Sequence, residues 1–139
     1  IIGEGRDREK LEGLISSLNV KKTCCLLGFN ENPYKFIVNA DLFVCSSNHE
    51  GFSTAVTEAL TLGVPVVSTE VSGAKELLGY NNEYGIVTDN NENALYEGMC
   101  KILTEDGLLT HYKKQAEIRG KEFSTEKTTK AVEKMLESL

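Results

Sequence analysis

Short apolar runs alternate with longer amphipathic stretches along the whole of this 139-residue chain. The apolar runs occupy residues 1–2, 23–27, 42–45, 64–67 and 85–87, and helical spacing of apolar residues follows each of them. This order is typical of a parallel sheet whose strands are joined by crossover helices. The sequence therefore predicts an α/β fold, a Rossmann-like parallel sheet with helices on both faces.

The helices that join and follow these strands are predicted from periodicity and from their end signals. Gly63 is expected to stop one helix, and Ser124 to cap the last one. No internal repeat or low-complexity linker interrupts the pattern, so residues 1–139 are predicted to form one domain. The opening residues 1–3 resemble the tail of a strand, which predicts that the first strand and helix of the fold are missing at the N-terminal end. The predicted helices cover residues 6–18, 33–39, 53–62, 72–78, 92–103, 108–121 and 125–136.

Composition excludes several classes of function. The formal net charge of −6 argues against nucleic-acid binding and against docking of this chain alone on anionic lipid. The four cysteines contain no C-x-x-C pair, and we interpret them as buried free thiols of a reducing cytoplasm. With His49 and His111 as the only histidines, no metal site is predicted. The cysteines are Cys24, Cys25, Cys45 and Cys100.

Four polar loops follow predicted strands, at residues 3–5, 28–30, 46–54 and 69–73. In open α/β sheets, ligands bind where strands end and helices begin. We therefore expect these loops to line one edge of the sheet.

The most informative of these loops contains Glu50, eight positions before Glu58. This spacing alone is uninformative, because two further glutamate pairs share it. Glu50, however, follows a strand, Glu58 lies about two turns inside the next helix, and residues 51–54 supply free backbone amides at the start of that helix. A diphosphate can rest on those amides while the carboxylates accept hydrogen bonds from sugar hydroxyls. The alternatives are a helix-capping role for Glu50 and a solvated position for Glu58.

Residues 46–78 resemble the signature of the family 4 retaining glycosyltransferases, which have the GT-B fold. The resemblance extends outward, because residues 2–5, 26–29 and 40–44 are similar to the strand exits of the family's donor-binding, C-terminal half. It thus covers nearly the whole chain. The signature residues are Ser47, Glu50-Gly51-Phe52, Glu58-Ala59, Gly63-Val64-Pro65-Val66-Val67 and Gly73-Ala74-Lys75-Glu76.

The resemblance implies a role for each of these positions. Glu50 is the expected catalytic residue, which holds hydroxyls of the donor sugar near the anomeric carbon. Glu58 is expected to bind the ribose hydroxyls, and the amides that follow Gly51 the diphosphate. The base is expected to meet the loop after the second apolar run. The residues implied for the diphosphate are Phe52, Ser53 and Thr54, and those for the base are Gly28, Phe29 and Asn30.

This sequence departs from the family pattern at two places. The family often has glycine where Ser53 stands and Gly-Gly where Ser72-Gly73 stands, so the roles of Ser72, Gly73 and Glu76 stay open. The arginine and lysine that neutralise the departing diphosphate in the family have no matching residue here. The fragment alone is therefore expected to be inactive.

The resemblance implies a protein that transfers a hexose from a UDP- or GDP-sugar, with retention and without a metal or other cofactor. The acceptor would be a saccharide or lipid-linked saccharide that is bound by an absent N-terminal domain, in cell-surface polysaccharide synthesis. The expected location is cytoplasmic, with membrane contact only through the absent half. The alternatives are a non-catalytic glycosyltransferase-like subunit and a generic Rossmann module such as a dehydrogenase half. The missing third glycine after Gly3-x-Gly5 counts against the module.

Overall fold

A computed structural model describes residues 1–137. These residues divide into two compact units, Ile1–Lys35 and a second unit that begins at Phe36. The expectation of one domain over residues 1–139 stays a prediction. The helices are α1 Arg8–Ser17, α2 Tyr34–Ile37, α3 Thr54–Thr61, α4 Ala74–Leu78, α5 Glu92–Thr104, α6 Leu108–Gly120 and α7 Thr125–Glu137, with a 3-10 turn at Lys121–Phe123.

The first unit is built around the amphipathic helix α1. At its start, the Arg8 guanidinium donates to Glu4 Oε2 at 2.8 Å and to Glu12 Oε1 at 2.9 Å. The predicted apolar face is poorly covered, since Leu14 is 51% and Leu18 is 62% exposed. The periodicity therefore predicted the helix correctly, although the helix has no buried residue.

The predicted strand over residues 23–27 is wrong. The carbonyl of Val20 accepts hydrogen bonds from the amides of Thr23 and Cys24, which forms a turn there. Beyond the turn, the Leu27 amide donates to the Ile1 carbonyl at 2.8 Å and the Ile1 amino group to the Cys25 carbonyl at 2.7 Å. This short pairing is not part of a regular sheet. Cys25 is exposed and Cys24 half-buried, so the prediction that they are buried thiols is wrong as well.

The second unit contains a three-stranded parallel sheet in the order β1-β2-β3. The strands are β1 Phe43–Cys45, β2 Val66–Thr69 and β3 Ile86–Thr88. Val44 pairs with Val67, and Ser68 pairs with Val87. Helix α3 joins β1 to β2 and helix α4 joins β2 to β3, as expected for crossover connections. The predicted α/β class is confirmed.

Helices cover both faces of this sheet. Successive side chains of a strand point to opposite faces, and the neighbours Val66 and Val67 belong to two different core clusters. On the Val66 side the core includes Leu60 of α3 and Leu77 of α4. On the Val67 side it includes Ile102 of α5 and Tyr112 of α6. The prediction of a Rossmann-like sheet between two layers of helices is therefore confirmed.

Two helices begin at the edge of the sheet where β1 and β2 end. Ser53 caps α3, and Gly63 follows the helix in a left-handed conformation with φ of 72°. Gly73 precedes α4 with φ of 80°. The loops at residues 46–53 and 70–73 are therefore placed side by side by the parallel pairing of β1 and β2.

Candidate functional site

The Glu50 side chain is held at the carboxyl end of β1. One carboxylate oxygen, Oε2, accepts a hydrogen bond from the Ser47 hydroxyl at 2.9 Å and lies 3.6 Å from the Cys45 thiol, which donates to it. Among the hydrogen bonds of residues 1–137, none uses the other oxygen, Oε1. The carboxylate is half-buried. It is thus oriented by one oxygen, and the other is available to a ligand hydroxyl.

The loop that carries Glu50 is tied to the neighbouring strand. The hydroxyl of Thr69, the last residue of β2, donates to the Ser47 carbonyl at 2.7 Å and approaches the Cys45 carbonyl at 3.4 Å. Thr69 is buried, so these bonds are shielded from water. The position of Glu50 therefore depends on β2 as well as on its own loop.

Gly73 brings the turn before α4 against the same loop. A Cβ atom on Gly73 would lie 2.8 Å from the Gly51 carbonyl oxygen and 3.4 Å from the Phe52 Cα. With φ of 80°, this position also favours glycine for its backbone conformation. The role of Gly73 that the sequence left open is thereby assigned, since Gly73 allows the two loops to touch.

The backbone at the start of α3 presents amides to this edge. Ser53 is buried, and its hydroxyl oxygen accepts a hydrogen bond from the Val56 amide at 3.4 Å. The amides of Phe52, Ser53 and Thr54 donate no hydrogen bond among the described residues. The Phe52 ring turns toward Phe123, with ring centroids 6.4 Å apart in an edge-on arrangement. Unbonded amides at a helix N-terminus attract anions.

Glu58 lies about one turn beyond the start of α3. It follows Thr54 by four positions, so the two share one face of α3, and Val56, Ala59 and Leu60 point into the core instead. Glu58 is half-buried and takes part in an interaction within the protein. Glu58 therefore lies on the same face of α3 as Thr54, one turn from the end of the helix where the unbonded amides are.

An open cleft of about 600 Å³ lies between the two loops. Its lining combines apolar surface with the carboxylates of Glu50 and Glu70 and an exposed His49. The charge of Glu70 is balanced by Lys75, whose Nζ lies 2.6 Å from Glu70 Oε1. The two carboxylates of this lining can accept hydrogen bonds from the hydroxyl groups of a ligand. The residues that line the cleft are Asn48, His49, Glu50, Gly51, Glu70, Val71 and Ser72.

The residues expected at the nucleotide base lie in the first unit. Gly28 is buried, has φ of 72°, and its carbonyl accepts the Gly3 amide at 2.9 Å. The side-chain oxygen of Asn30 accepts the Asn32 amide at 3.0 Å, so it stabilises the turn. The Phe29 ring is 75% exposed. Their role toward a base stays a prediction.

Comparison with known proteins decides the family. The family described as Glycosyl transferases group 1 matches residues 1–119, most of this chain. The chain belongs to this family. The recognition made from the residues 46–78 signature is therefore confirmed.

A relative agrees with this membership, and solved structures agree with the fold. An N-acetylgalactosamine-N,N'-diacetylbacillosaminyl-diphospho-undecaprenol 4-alpha-N-acetylgalactosaminyltransferase of Campylobacter jejuni is 38% identical over 138 residues, 98% of this chain and 38% of that protein. A mutant of S. aureus TarM in complex with Fondaparinux, alpha-GlcNAc-glycerol and UDP has 25% identity and a TM-score of 0.83, over 99% of this chain and 28% of that one. Anabaena Alr3699/HepE in complex with UDP has 22% identity and a TM-score of 0.82, over 99% and 40%. This group 1 glycosyltransferase chain thus spans about two-fifths or less of the proteins it matches.

Sequence reasoning missed part of the environment of Glu50 in this glycosyltransferase chain. Cys45 was interpreted as a buried free thiol, and its burial is confirmed, but its thiol also contacts Glu50. Thr69 was predicted to begin the loop at residues 69–73, whereas it ends β2 and its hydroxyl donates to the Ser47 carbonyl. The signal for Gly73 was present as a glycine before a short helix, although its partner Gly51 cannot be read from the spacing.

The described part of the glycosyltransferase chain contains neither a candidate metal-binding cluster nor a candidate membrane-spanning helix. Within residues 1–137, no group of three or more His, Cys, Asp or Glu side chains is placed to hold a metal ion. No described helix has the length and apolar character that crossing a membrane requires.

Proposed function

We propose that the full-length protein transfers a hexose from a UDP- or GDP-sugar to a saccharide or lipid-linked acceptor, and that this chain is its donor-binding half. The observation that carries the proposal is the position of Glu50. Its half-buried carboxylate is fixed through Oε2 by Ser47 and Cys45, directly before the unbonded amides of α3. The Glu50 carboxylate can accept hydrogen bonds from sugar hydroxyls, and the adjacent amides can bind an anion. One donor molecule carries both groups, a sugar and a diphosphate.

We assign the diphosphate and ribose of the donor to α3. The diphosphate rests on the amides of residues 52–54, where the helix dipole favours negative charge. The Glu58 carboxylate accepts hydrogen bonds from the ribose hydroxyls. A role for the loop at residues 28–30 toward the base rests on the sequence resemblance alone.

The sugar half of the donor lies in the cleft beside Glu50. The carboxylate accepts hydrogen bonds from sugar hydroxyls and stabilises the positive charge that develops at the anomeric carbon as the diphosphate departs. The scheme assigns no metal, and within this chain the amides of residues 52–54 face the growing negative charge of the leaving group. Of the two carboxylates that line the cleft, Glu70 is paired with Lys75. Glu50 is therefore the one whose charge the cleft residues do not compensate.

The names of similar proteins support an α-linked product. The Campylobacter relative is a 4-alpha-N-acetylgalactosaminyltransferase, and the staphylococcal structure contains alpha-GlcNAc-glycerol and UDP. From an α-linked nucleotide sugar, an α-linked product requires retention at the anomeric carbon. The undecaprenol in the relative's name supports a lipid-linked acceptor. We place the full-length protein on the cytoplasmic face of a membrane, with the acceptor bound outside this chain.

The first test is a titration of this chain with UDP, GDP and NAD by isothermal calorimetry. We expect saturable heat from UDP or GDP and none from NAD. Binding of NAD alone would contradict the proposal and favour a generic Rossmann module. The chain without its acceptor-binding half is expected to show no sugar transfer.

The second test replaces Glu50 by glutamine in the full-length protein. Transfer of sugar is expected to fall by about 100- to 1,000-fold, because a preorganised charge at the reacting carbon is lost. The Kd for the free nucleotide is expected to stay within about twofold, since the diphosphate contacts are backbone amides. Glu97→Gln, on the exposed side of α5, is the matched control and leaves transfer unchanged. Unchanged transfer in Glu50→Gln would eliminate the catalytic role and favour a non-catalytic subunit.

A further inference from the structure

Arg119, near the end of α6, makes four contacts that the proposed function does not use. Its guanidinium carbon lies 5.0 Å from the ring centroids of both Tyr84 and Phe123. Its Nε donates to the Leu77 carbonyl at 3.0 Å, and an Nη atom donates to the Glu76 carbonyl. These carbonyls belong to the last turn of α4, where helical partners are lacking and a cation is favoured. Arg119 therefore fixes the end of α4 to α6.

The same end of α6 is fixed to α3. A Cβ on Gly120 would lie 2.3 Å from the Leu60 carbonyl oxygen and 2.7 Å from the Thr61 Cα, so the two helix backbones touch there. At the other end of α3, the Phe123 ring meets the Phe52 ring edge-on. Phe52 directly precedes the capping residue Ser53. The segment around Arg119 thus contacts α3 near both of its ends.

The two helices that this segment holds both begin at the candidate site. Their leading loops touch where Gly73 meets the Gly51 carbonyl. A shift of α4 relative to α3 must change this contact, because α4 is five residues long and Arg119 binds its last turn. The amides of residues 52–54 move with the same contact.

We propose that Arg119 is a positioning residue that sets the distance between the loops of α3 and α4 around the donor diphosphate. The inference rests on the proposed function, since it assigns Arg119 to that same site. Arg119 acts at a distance, through Phe123 and Phe52 on one side and through α4 on the other. Arginine suits this role because its planar guanidinium can stack on two rings while it donates to two carbonyls. Lysine cannot do both.

The test compares Arg119→Lys with Tyr112→Phe in this chain. Tyr112 lies on the same helix, and its hydroxyl donates to the Asn82 carbonyl at 3.0 Å, so its loss also removes a hydrogen bond from α6. Each variant is titrated with UDP and GDP, its melting temperature is measured, and its backbone amide resonances are assigned. In Arg119→Lys we expect the Kd of the bound nucleotide to rise by about tenfold, since small misplacements of a binding group have large effects. The Gly51 and Ser53 amide resonances are expected to shift as well.

In Tyr112→Phe we expect a lower melting temperature with the Kd and those two resonances unchanged. Equal Kd values and equal Gly51 and Ser53 resonances in the two variants would overturn the inference and leave Arg119 a purely structural residue. If Arg119→Lys does not fold, Phe123→Leu replaces it, because it removes the ring that links Arg119 to Phe52.

The failure of the proposed function has a different signature. If the unmodified chain binds neither UDP nor GDP, the donor-binding role fails. The resonances of Gly51 and Ser53 then decide on Arg119 alone: shifts confined to Arg119→Lys support its positioning role, and their absence overturns it.

Discussion

The loops that follow β1 and β3 have the same local design but different surroundings. Each leaves a parallel strand and ends at a capped helix, with Ser53 accepting the Val56 amide at 3.4 Å and Asn91 accepting the Ala94 amide at 2.9 Å. The loop after β1 adds a carboxylate that is held by two side chains and a backbone contact with Gly73. The loop after β3 is exposed. Among the described residues, its side chains contact the other loop through one hydrogen bond, which the Asn90 side chain donates to the Asn48 carbonyl.

This difference teaches that a capped helix start does not by itself make a ligand site. Both helix ends have a dipole and amides that attract an anion, although α5 also has an acidic residue, Glu92, in its first turn. What distinguishes the loop after β1 is the fixed position of Glu50 and the close packing of the neighbouring loop. Substitutions that act on these two features should therefore affect the two loops differently, whereas substitutions of the capping residues should affect both loops alike.

The largest effect is expected from Gly73→Ala. The added Cβ would approach the Gly51 carbonyl oxygen to 2.8 Å, so the loop must move, and alanine is also strained at φ of 80°. We expect a loss of about 2–4 kcal/mol in the free energy of unfolding. Nucleotide affinity should fall by about 10- to 100-fold, because the amides of residues 52–54 are displaced. Urea unfolding and calorimetric titration measure the two quantities.

Gly107→Ala is the matched control for Gly73→Ala. Gly107 also precedes a helix in a left-handed conformation, with φ of 78°, but its Cβ would meet no atom within 4 Å. We expect a loss of about 1 kcal/mol from backbone strain alone and an unchanged nucleotide affinity. Equal losses of stability and affinity in the two variants would show that the approach of Gly73 to Gly51 has no special importance.

The next effect is expected from Thr69→Val, compared with Thr88→Val. The two threonines end β2 and β3 and pair with each other in the sheet. Thr69 donates to the Ser47 carbonyl across strands while buried, whereas Thr88 donates to the carbonyl of its own neighbour Asp89 at 3.2 Å. Loss of the Thr69 hydroxyl leaves the half-buried Ser47 carbonyl without its partner, which costs about 1 kcal/mol. Thr88→Val is expected to change stability by less than about 0.5 kcal/mol.

Thr69→Val should also affect the chemistry at Glu50. Since the Ser47 backbone is released, the hydroxyl that holds Glu50 Oε2 loses its fixed position. Sugar transfer by the full-length protein is therefore expected to fall while nucleotide affinity changes little. A Thr88→Val variant that loses as much transfer would place the functional loop after β3 instead.

The sequence predicted the strands well where their buried residues are apolar and less well where their buried residues are polar. β2 was expected at residues 64–67 and is found at Val66–Thr69. Ser68 and Thr69 extend it because their hydroxyls find carbonyl acceptors, which lets polar residues be buried in a strand. In residues 23–27, apolar composition alone predicted a regular strand, whereas the chain forms a turn after Val20 and then only a short pairing with Ile1. Periodicity gives no information about such tertiary partners.

The candidate site shows the same division. Glu50, Glu58 and the start of α3 were predicted from a local motif, since they belong to one stretch of chain. Thr69 and the contact of Gly73 with Gly51 come from a different strand and a different turn. Their importance depends on the register of β1 with β2, which pairs Cys45 with Ser68 and which the sequence pattern does not specify.

The smallest effect is expected from Ser53→Gly, compared with Asn91→Gly. Glycine is itself an acceptable helix cap, so each change should lower the free energy of unfolding by only a few tenths of a kcal/mol. Nucleotide affinity should be unchanged in both variants, because the diphosphate is proposed to bind backbone amides that glycine also supplies. Calorimetric titration with UDP and GDP checks this. A tenfold loss of affinity confined to Ser53→Gly would mean that the serine hydroxyl binds the ligand, so that the two loops would differ by their caps after all.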